Sequence, residues 1–235
     1  MRPPLPTDNA LLACLPAAAR EALLESLESV ELRHDEVIHE SGAPLRCLLF
    51  PTTAIVSVCY VLAGGQSSEI GVIGNDGVVG IALFMGGNTM PNRASVRGAG
   101  HAFRLDPHGL QREFARGRHF HDVLLRYTQA LMTQMLQTSV CNNHHAVDQR
   151  LCRWLLLTLD RSRTNTISIT QEHISRMLGV RRESITEAMR NLQASDLVEA
   201  RRGQLRIIDR SGLEARVCEC YRVVKDETAR LFPNS

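Results

Sequence analysis

The stretch ISITQEHISRMLGVRRESITEAMRNLQASDLVEARRGQLRIID, residues 167–209, contains two short amphipathic helical patterns separated by a glycine. Thr170 is placed to cap the first helix, and Gly179 ends it where a left-handed residue is favoured. In the second helix, apolar residues recur at spacings of three and four, which predicts one buried face and one exposed face. The predicted buried set is Ile185, Ala188, Met189 and Leu192.

The exposed face of the second helix begins with a charged pair that suits the reading of DNA bases. Arginine can bind the O6/N7 edge of guanine with two hydrogen bonds, and glutamate can accept from the N4 amine of cytosine. Short polar side chains near helix N-termini suit phosphate oxygens. Leu197–Ala200 and Leu205–Ile208 flank two arginines, which predicts a β-hairpin wing. The predicted DNA-binding residues are Thr170, Gln171, Arg181, Arg182, Glu183, Ser184, Glu187, Arg201 and Arg202.

A helix pair with a solvated charged face is the alternative to a DNA-binding pair. That alternative leaves both the hairpin and the distribution of charge unexplained. Residues 1–145 carry 11 Arg and Lys against 13 Asp and Glu, whereas residues 146–235 carry 16 against 12. The C-terminal part is therefore mildly basic within a chain of net charge +2. This sign suits a module that binds double-stranded DNA.

The N-terminal half has a different pattern. Residues 10–29 are helical in character around Pro16, and from Val30 to Asp106 short β-branched runs alternate with turns. About eight such runs, Val78–Gly80 among them, predict a small jelly roll or β-roll. Residues 121–145 then contain neither Gly nor Pro, which predicts one long helix.

Residues spaced by sevens along the long helix predict a seam between two copies of the chain. The alternative is a helix that packs on its own barrel. The sequence thus predicts an α+β protein with an N-terminal jelly-roll or β-roll sensor domain (1–118), a dimerisation helix (119–145) and a C-terminal winged helix-turn-helix domain (146–235). The predicted seam residues are Leu124, Tyr127, Leu131, Gln134, Thr138 and Cys141.

Composition narrows the class of protein. The chain is 44% hydrophobic and 22% charged, as in globular proteins. Its longest apolar runs, Ala54–Ala63 and Val78–Gly87, are shorter than the roughly 20 residues of a membrane span, and the N-terminus lacks a leader pattern. Seven scattered cysteines, an odd number, favour a reducing compartment. We therefore expect a cytoplasmic protein that does not enter membranes.

With these parts in this order, the chain resembles the Crp/Fnr superfamily of bacterial transcription regulators. The resemblance covers nearly the whole length and is most specific at Ile169–Ile174 and Gly179–Ile185. In that family the recognition helix opens with Arg, Glu and then Ser or Thr, matched here by Arg182, Glu183 and Ser184. The resemblance implies that the first two contact base edges and the third the backbone. It also implies a homodimer on a palindromic operator, and contact with RNA polymerase if the protein activates transcription.

Two positions of the recognition helix depart from the family pattern. Arg181 stands where the family often has Ser, and Glu187 stands where several members have a second Arg. The resemblance therefore implies an operator half-site that shares the G·C step with the relatives and differs beside it.

The sensor half departs further. In cyclic-nucleotide-binding members, a Gly-Glu pair is followed by Arg and Ser or Thr; the Glu binds the ribose hydroxyl and the Arg neutralises the phosphate. Here Ile81 stands where Glu belongs, and Asn92 and Arg93 stand where Arg and Ser belong. An apolar side chain cannot bind a hydroxyl, so we expect no cAMP response of the usual kind. The candidate effector-binding residues are Gly80, Ile81, Asn92, Arg93, Ala94 and Arg97.

Other controls stay open from the sequence. A nucleotide effector other than cAMP, such as cyclic di-GMP, would be bound through Arg93, Arg97 and their neighbours, or the protein binds DNA constitutively. Members with an iron–sulfur centre use closely spaced N-terminal cysteines, whereas Cys14 stands alone here. Metal or haem redox sensing is a further alternative. Because the remaining Cys and His groups lack C-x-x-C spacing, the sequence predicts no metal site. These groups are Cys141, His144, His145, Cys218 and Cys220.

A metal-dependent, cupin-like β-barrel enzyme is the competing class. His119 and His121 offer an H-x-H pair for such a site. They lie at the start of the long helix rather than on a barrel strand. Walker, nucleophile-elbow and dinucleotide-binding motifs do not occur in the sequence. We therefore expect no enzyme activity.

Overall fold

A computed structural model of the chain describes residues 3–233. Two short 3-10 helices lie at Pro6–Asp8 and Ile81–Phe84. The α-helices are α1 (Ala10–Ala13), α2 (Ala17–Leu24), α3 (Pro107–Arg116), α4 (Arg118–His144), α5 (Val147–Leu159), α6 (Gln171–Leu178), α7 (Arg182–Ala194), α8 (Arg210–Arg216) and α9 (Cys220–Leu231). The strands are β1 (Leu27–Leu32), β2 (Val37–His39), β3 (Leu48–Pro51), β4 (Ile55–Val61), β5 (Ser67–Ile73), β6 (Arg93–Gly98), β7 (Gly100–Leu105), β8 (Thr166–Ser168), β9 (Val198–Arg201) and β10 (Gln204–Ile207).

The first seven strands form an antiparallel roll of two sheets. One sheet has the strand order β1-β7-β3 and the other β2-β6-β4-β5. Successive side chains of a strand point to opposite faces, so alternate residues of β6 enter the core. Ala94 and Val96 are buried there with Val56 and Ala102. The predicted α+β class with an N-terminal roll is confirmed.

The strand predicted at residues 78–80 is wrong. Val79 makes only an isolated bridge with Leu49, with backbone hydrogen bonds of 2.8 and 3.1 Å. Gly80 then leads directly into the 3-10 helix Ile81–Phe84. The change of backbone direction leaves no further residues to extend the ladder.

The long helix α4 packs against its own roll on the face that the sequence assigned to a dimer seam. The backbone N–H of Val72 in β5 donates to Oε1 of Gln134 over 3.0 Å. Leu131 lies against Gly71 of the same strand. Of the six predicted seam residues, all but the partly buried Thr138 are buried in the protomer. This corrects the expected seam, because a side chain enclosed by its own chain has no surface left for a partner.

A different stripe of α4 carries apolar side chains on its surface. Leu125, Met132, Leu136 and Val140 are 45% to 64% exposed. They are separated by seven, four and four residues, so they lie along one side of the helix. We call these four residues the α4 stripe.

The C-terminal part is a helix-turn-helix domain with a wing. The strands β8, β10 and β9 form a three-stranded antiparallel sheet beside α5, α6, α7 and α8. One apolar core joins them and includes Leu155, Ile174, Ile185 and Leu205. The predicted winged helix-turn-helix is confirmed.

A buried ion pair joins the roll to α5. Arg97 of β6 and Glu69 of β5 are 6% and 7% exposed, and Nη1 of Arg97 lies 3.0 Å from Oε2 of Glu69. From α5, the indole N–H of Trp154 donates to Oε1 of Glu69 over 2.9 Å, and Oγ1 of Thr158 accepts from Nη2 of Arg97 over 2.8 Å. Burial lowers the pKa of Arg97, and the neighbouring carboxylate opposes this shift. We call this arrangement the junction network.

The last helix, α9, returns to α4. Gln129 of α4 donates to Glu227 over 2.9 Å, and Nη1 of Arg126 donates to the carbonyl oxygen of Leu231 over 3.2 Å. Leu231 and Phe232 then join the apolar cluster beneath the roll. Helix α9 thus lies after the predicted domain boundary at residue 146 but packs against α4, which lies before that boundary. Within residues 3–233, no helix has the length and apolar character that crossing a membrane requires.

Replacing Arg97 by Met should lower the free energy of unfolding by about 3–5 kcal/mol, because Glu69 would stay buried without its charge partner. Urea denaturation followed by fluorescence of Trp154, the single tryptophan, measures this change at the junction itself. The double variant Arg97→Met/Glu69→Gln keeps an acceptor for the indole and removes both charges, so it should recover most of the loss. Equal destabilisation of the two variants would show that lost packing, not the unpaired charge, sets the cost.

Candidate nucleic-acid interface

The turn between α6 and α7 fixes the direction of the second helix. Oγ1 of Thr170 accepts from the backbone N–H of His173 over 3.2 Å, as the predicted N-cap requires. Gly179 ends α6 with φ of +62°, and its N–H donates to the carbonyl of Arg176 over 3.2 Å. A Cβ at this position would lie 2.8 Å from Oγ of Ser68 in the roll. Only glycine therefore suits both the backbone and the close approach of the roll.

Helix α7 has the two faces that its sequence predicts. Ile185, Ala188, Met189 and Leu192 are all buried. Arg181 and the outer side chains of the helix are exposed. The exposed residues of α7 include Arg182, Glu183, Glu187 and Arg190.

One of the predicted phosphate-binding residues, Gln171, helps to hold the helix pair together. Oγ1 of Thr186 donates to Oε1 of Gln171 over 3.0 Å and so connects α7 to the start of α6. This contact uses the amide oxygen of Gln171 and leaves its NH2 group, the part that can donate to a phosphate oxygen. Ser184 is half-buried in the first turn of α7, and its backbone N–H donates to the carbonyl of Arg181.

The wing is a tight hairpin with cations at its tip. Arg202 and Gly203 have φ of +46° and +78°, the two left-handed residues of a type I′ turn. Glu199 pairs with Arg201 over 2.6 Å and with Arg206 over 2.7 Å, and the Arg206 hydrogen bond is the main cause that lowers the pKa of Glu199. Among the ion pairs within residues 3–233, none involves Arg202. Its charge is therefore available to a partner.

The wing and α7 enclose a cleft. Its volume is about 430 Å³, and its lining includes apolar residues, Glu172 and several polar and cationic side chains. Thr170 and Gln171 line it on the α6 side, Arg182 on the α7 side, and Arg201 and Arg202 on the wing. Five of the nine predicted DNA-binding residues thus line one concave surface, with Glu183 next along α7.

The candidate effector residues do not converge on one pocket. Ile81 packs against the apolar cluster beneath the roll, and Asn92 and Ala94 are buried. Nε of Arg93 lies 3.4 Å from a carboxylate oxygen of Glu40 at the surface. Arg97 points away from these residues, into the junction network. The expectation that Arg97 binds an effector is therefore corrected, because Glu69 and Thr158 already take its guanidinium.

The two histidines of the competing enzyme class lie apart from any such cluster. His119 is exposed, and His121 stacks edge-on against Phe114 with ring centroids 5.1 Å apart. In the part of the chain that the structure describes, neither belongs to a group of three or more metal-binding side chains.

Sequence reasoning missed two groups of residues. Glu69 and Trp154 carry no local signal, because a single Glu in a strand and a single Trp in a helix show their roles only when β5 meets α5. The second group is Cys141 and His145 with Cys218 and Cys220, which the fold brings together from positions 77 residues apart. All four residues were among the candidate ligands in the sequence, but their spacing did not show that they lie together.

Comparison with known proteins agrees with this architecture. Residues 149–216 match the model of the Crp-like helix-turn-helix domain. A search of curated protein sequences finds no match.

Solved structures with similar folds include proteins described as transcriptional regulators. A CRP-family transcriptional regulator from Thermus thermophilus has a TM-score of 0.67 and 16% identity, over 80% of this chain and 95% of that one. FixK2 from Bradyrhizobium japonicum has a TM-score of 0.67 and 15% identity, over 82% and 98%. The c-di-GMP responsive global regulator CLP of Xanthomonas campestris has a TM-score of 0.64 and 16% identity, over 83% and 100%.

The family-model match rests on the helices and wing that form the cleft, and the structural similarity extends through the roll and α4. Residues 149–216 therefore form a Crp-like helix-turn-helix domain, and the roll and α4 share the fold of these solved structures.

Proposed function

We propose that the protein is a sequence-specific transcription regulator that binds a palindromic operator as a homodimer and is not controlled by cAMP in the usual way. The observation that carries the proposal is the placement of Arg182 and Glu183. They open a helix whose other face is buried, both are exposed, and Arg182 lines the cleft beside the wing.

Base reading falls to the first turn of α7. Arg182 is suited to guanine and Glu183 to cytosine, so the pair reads a G·C step in the major groove. Glu187 lies one turn further along the same face and is exposed. Its carboxylate accepts and does not donate, so it selects against a guanine edge at its own position.

Phosphate contacts surround these two residues. Thr170 and Gln171 lie at the N-terminus of α6, where backbone N–H groups and the helix dipole favour an anion. Ser184 plays the same part at the start of α7. Arg201 and Arg202 project from the wing toward the neighbouring backbone. These contacts set the position of the protein on DNA, and the α7 pair sets the sequence.

The α4 stripe supports a homodimer. Four exposed apolar side chains along one side of a 27-residue helix form a surface that a second copy of α4 would cover. This stripe replaces the seam predicted from the sequence. Two recognition helices held by such a dimer must lie about 34–36 Å apart to enter successive major grooves, which requires a palindromic site.

The surroundings of the candidate effector residues support independence from cAMP. Ile81 offers no hydrogen bond, Asn92 offers no charge, and Arg97 is bound to Glu69. The cavity between β5, α4 and α5 has about 20 Å³, enough for about one water molecule. A different nucleotide effector would meet Arg93 at the surface, and the similar fold of CLP, described as a c-di-GMP responsive regulator, supports an effector of that kind. We propose no enzymatic role, and contact with RNA polymerase follows only for an activator.

Arg182→Ala should cost about 1–3 kcal/mol of affinity for the operator and relax the base preference at the G·C step. Arg202→Ala should weaken binding to operator and random DNA alike and reduce the slope of log K against log salt by about 1. Site selection from a random library supplies the operator, and fluorescence anisotropy at several salt concentrations measures both variants. If both variants lost the same affinity on both DNAs, α7 would not be reading bases.

The double variant Met132→Asp/Leu136→Asp should convert a dimer to a monomer, because it places two like charges in the centre of the α4 stripe. Sedimentation equilibrium at micromolar concentration measures the mass. Leu62→Asp is the matched control, since Leu62 is 63% exposed on the roll and lies outside the stripe. A dimer that survives the double variant would place the interface elsewhere.

Isothermal titration calorimetry with cAMP should show no saturable binding at micromolar concentration. The reason is the absence of a ribose-binding carboxylate at Ile81 and of a free arginine at position 92. Arg93→Ala is the control variant, because Arg93 is the remaining exposed cation on this edge of the roll. Micromolar cAMP binding that Arg93→Ala abolishes would overturn the cAMP-independent part of the proposal while leaving DNA binding intact.

A further inference from the structure

Four side chains with metal-binding atoms meet where α4 ends. Cys141 lies in the last turn of α4, His145 follows the helix directly, and Cys218 and Cys220 come from the connection into α9. We call these four residues the Cys3His cluster. Their Sγ atoms and imidazole nitrogen all lie within 4.8 Å of one another.

The spacing of the ligand atoms suits a single tetrahedral ion. Sγ of Cys141 lies 3.6 Å from Sγ of Cys218, and Nδ1 of His145 lies 3.6 Å from Sγ of Cys220. With Zn–S bonds of about 2.3 Å, neighbouring ligand atoms around Zn²⁺ are about 3.7 Å apart. An iron–sulfur cluster distributes its cysteines over several iron atoms and needs them farther apart. The Cys3His cluster therefore has room for one ion.

The imidazole is oriented in the way that metal-binding histidines require. While Nδ1 faces Cys220, Nε2 of the same ring lies 3.4 Å from Oε2 of Glu219. A carboxylate on the second ring nitrogen holds the proton there and leaves the first nitrogen free to bind a metal. The backbone supports this position, since the N–H of His145 donates to the carbonyl of Cys141 over 3.1 Å.

The surroundings distinguish the cluster from ordinary core packing. The three cysteines are 1% to 3% exposed, yet they form a group of their own, apart from the three large apolar cores. Arg153 of α5 is also buried, lies within electrostatic range of all three sulfurs, and has an Nε without a hydrogen-bond partner. Three thiolates and a divalent cation carry one net negative charge, which Arg153 offsets.

We propose that the Cys3His cluster binds one structural Zn²⁺ ion. Thiolate and imidazole ligands in this number are those of structural zinc sites, and a closed set of four leaves no open position for catalysis. Glu219 is a positioning residue that acts through His145.

The location gives this ion a mechanical role. It ties the end of α4 to the start of α9 at the point where the chain turns into α5 and the DNA-binding domain. With zinc bound, α9 is clamped along α4 at its first residue. Without zinc, α9 keeps the polar contacts of Gln129 and Arg126, its apolar end beneath the roll, and the packing of Tyr221 and Val224 in the core of the C-terminal domain.

The full-length protein, purified under reducing conditions from cells supplied with zinc, should contain one Zn per chain by inductively coupled plasma mass spectrometry. Replacement by Co²⁺ should give thiolate-to-cobalt charge-transfer absorption in the near ultraviolet and the intense visible bands of a tetrahedral site. Both readouts report metal rather than DNA binding, so they are independent of the proposed function.

The variants Cys220→Ser and His145→Ala should lose the zinc and the cobalt spectrum. Cys152→Ser is the matched control, because Cys152 is an equally buried thiol of α5 outside the cluster, and it should keep one Zn per chain. Glu219→Gln should retain zinc with 10- to 100-fold weaker affinity in a competition with a chelator, as for other residues that orient a ligand histidine.

Since a ligand variant can fail to fold, the wild-type protein provides the second measurement. Zinc is removed with a chelator, circular dichroism checks the fold, and Co²⁺ is titrated back. Wild-type protein with no zinc and no cobalt charge-transfer band would overturn the proposal. Iron with acid-labile sulfide in place of zinc, or zinc that remains in both Cys220→Ser and His145→Ala, would also overturn it.

Discussion

The packing of three different partners on three sides of α4 is the constraint on which the rest of the structure depends. One side of this helix closes the roll through Gln134 and Leu131, a second side carries α9 through Gln129 and Arg126, and a third side holds the α4 stripe. The roll and α9 each cover one side of α4. The surface of the helix that is left for a second copy of the chain is therefore narrow. The sensor, the last helix and the proposed partner are therefore all positioned by one element. A shift of α4 along its axis would move every one of them.

Local sequence patterns predicted the DNA-binding half well, because its decisive features lie within a few residues of one another. The cap at Thr170, the turn at Gly179 and the period of α7 each follow from short-range chemistry. The wing turn at Arg202 and Gly203 is equally local. Prediction failed where a residue's partner comes from a distant segment. Leu124 and Leu125 are neighbours in sequence with opposite environments, and no heptad count says which side the roll will cover. The same limit hid the Cys3His cluster, whose ligands come from two ends of the domain.

The junction network gives Arg97, which the sequence assigned to a ligand, a structural role in the roll. Arg97 and Glu69 lose their hydration on burial, and each is satisfied by the other and by α5. Such a pair adds little net stability, yet breaking it is costly, so the pair favours one arrangement of roll and α5 over others. The indole of Trp154 also lies 4.5 Å from the Arg97 guanidinium. The DNA-binding domain is thus docked on the roll by specific polar contacts as well as by apolar area.

Two groups of contacts therefore link the N-terminal and C-terminal parts of the chain near α5. The junction network holds the middle of α5 to the roll through Trp154 and Thr158, and the Cys3His cluster joins the segment before α5 to the segment before α9. An effector can change DNA binding only if it binds one arrangement of these parts better than another. Because α5 leads through β8 into α6, a rotation about the end of α4 changes the separation of the two recognition helices in a dimer. The cluster lies at that pivot, so an ion bound there would restrict the rotation together with the junction network and the contacts of α9 with α4. Control of this regulator is then expected to act at His145 and α5 rather than in the roll's interior, where Ile81 and Asn92 leave little for a nucleotide to bind.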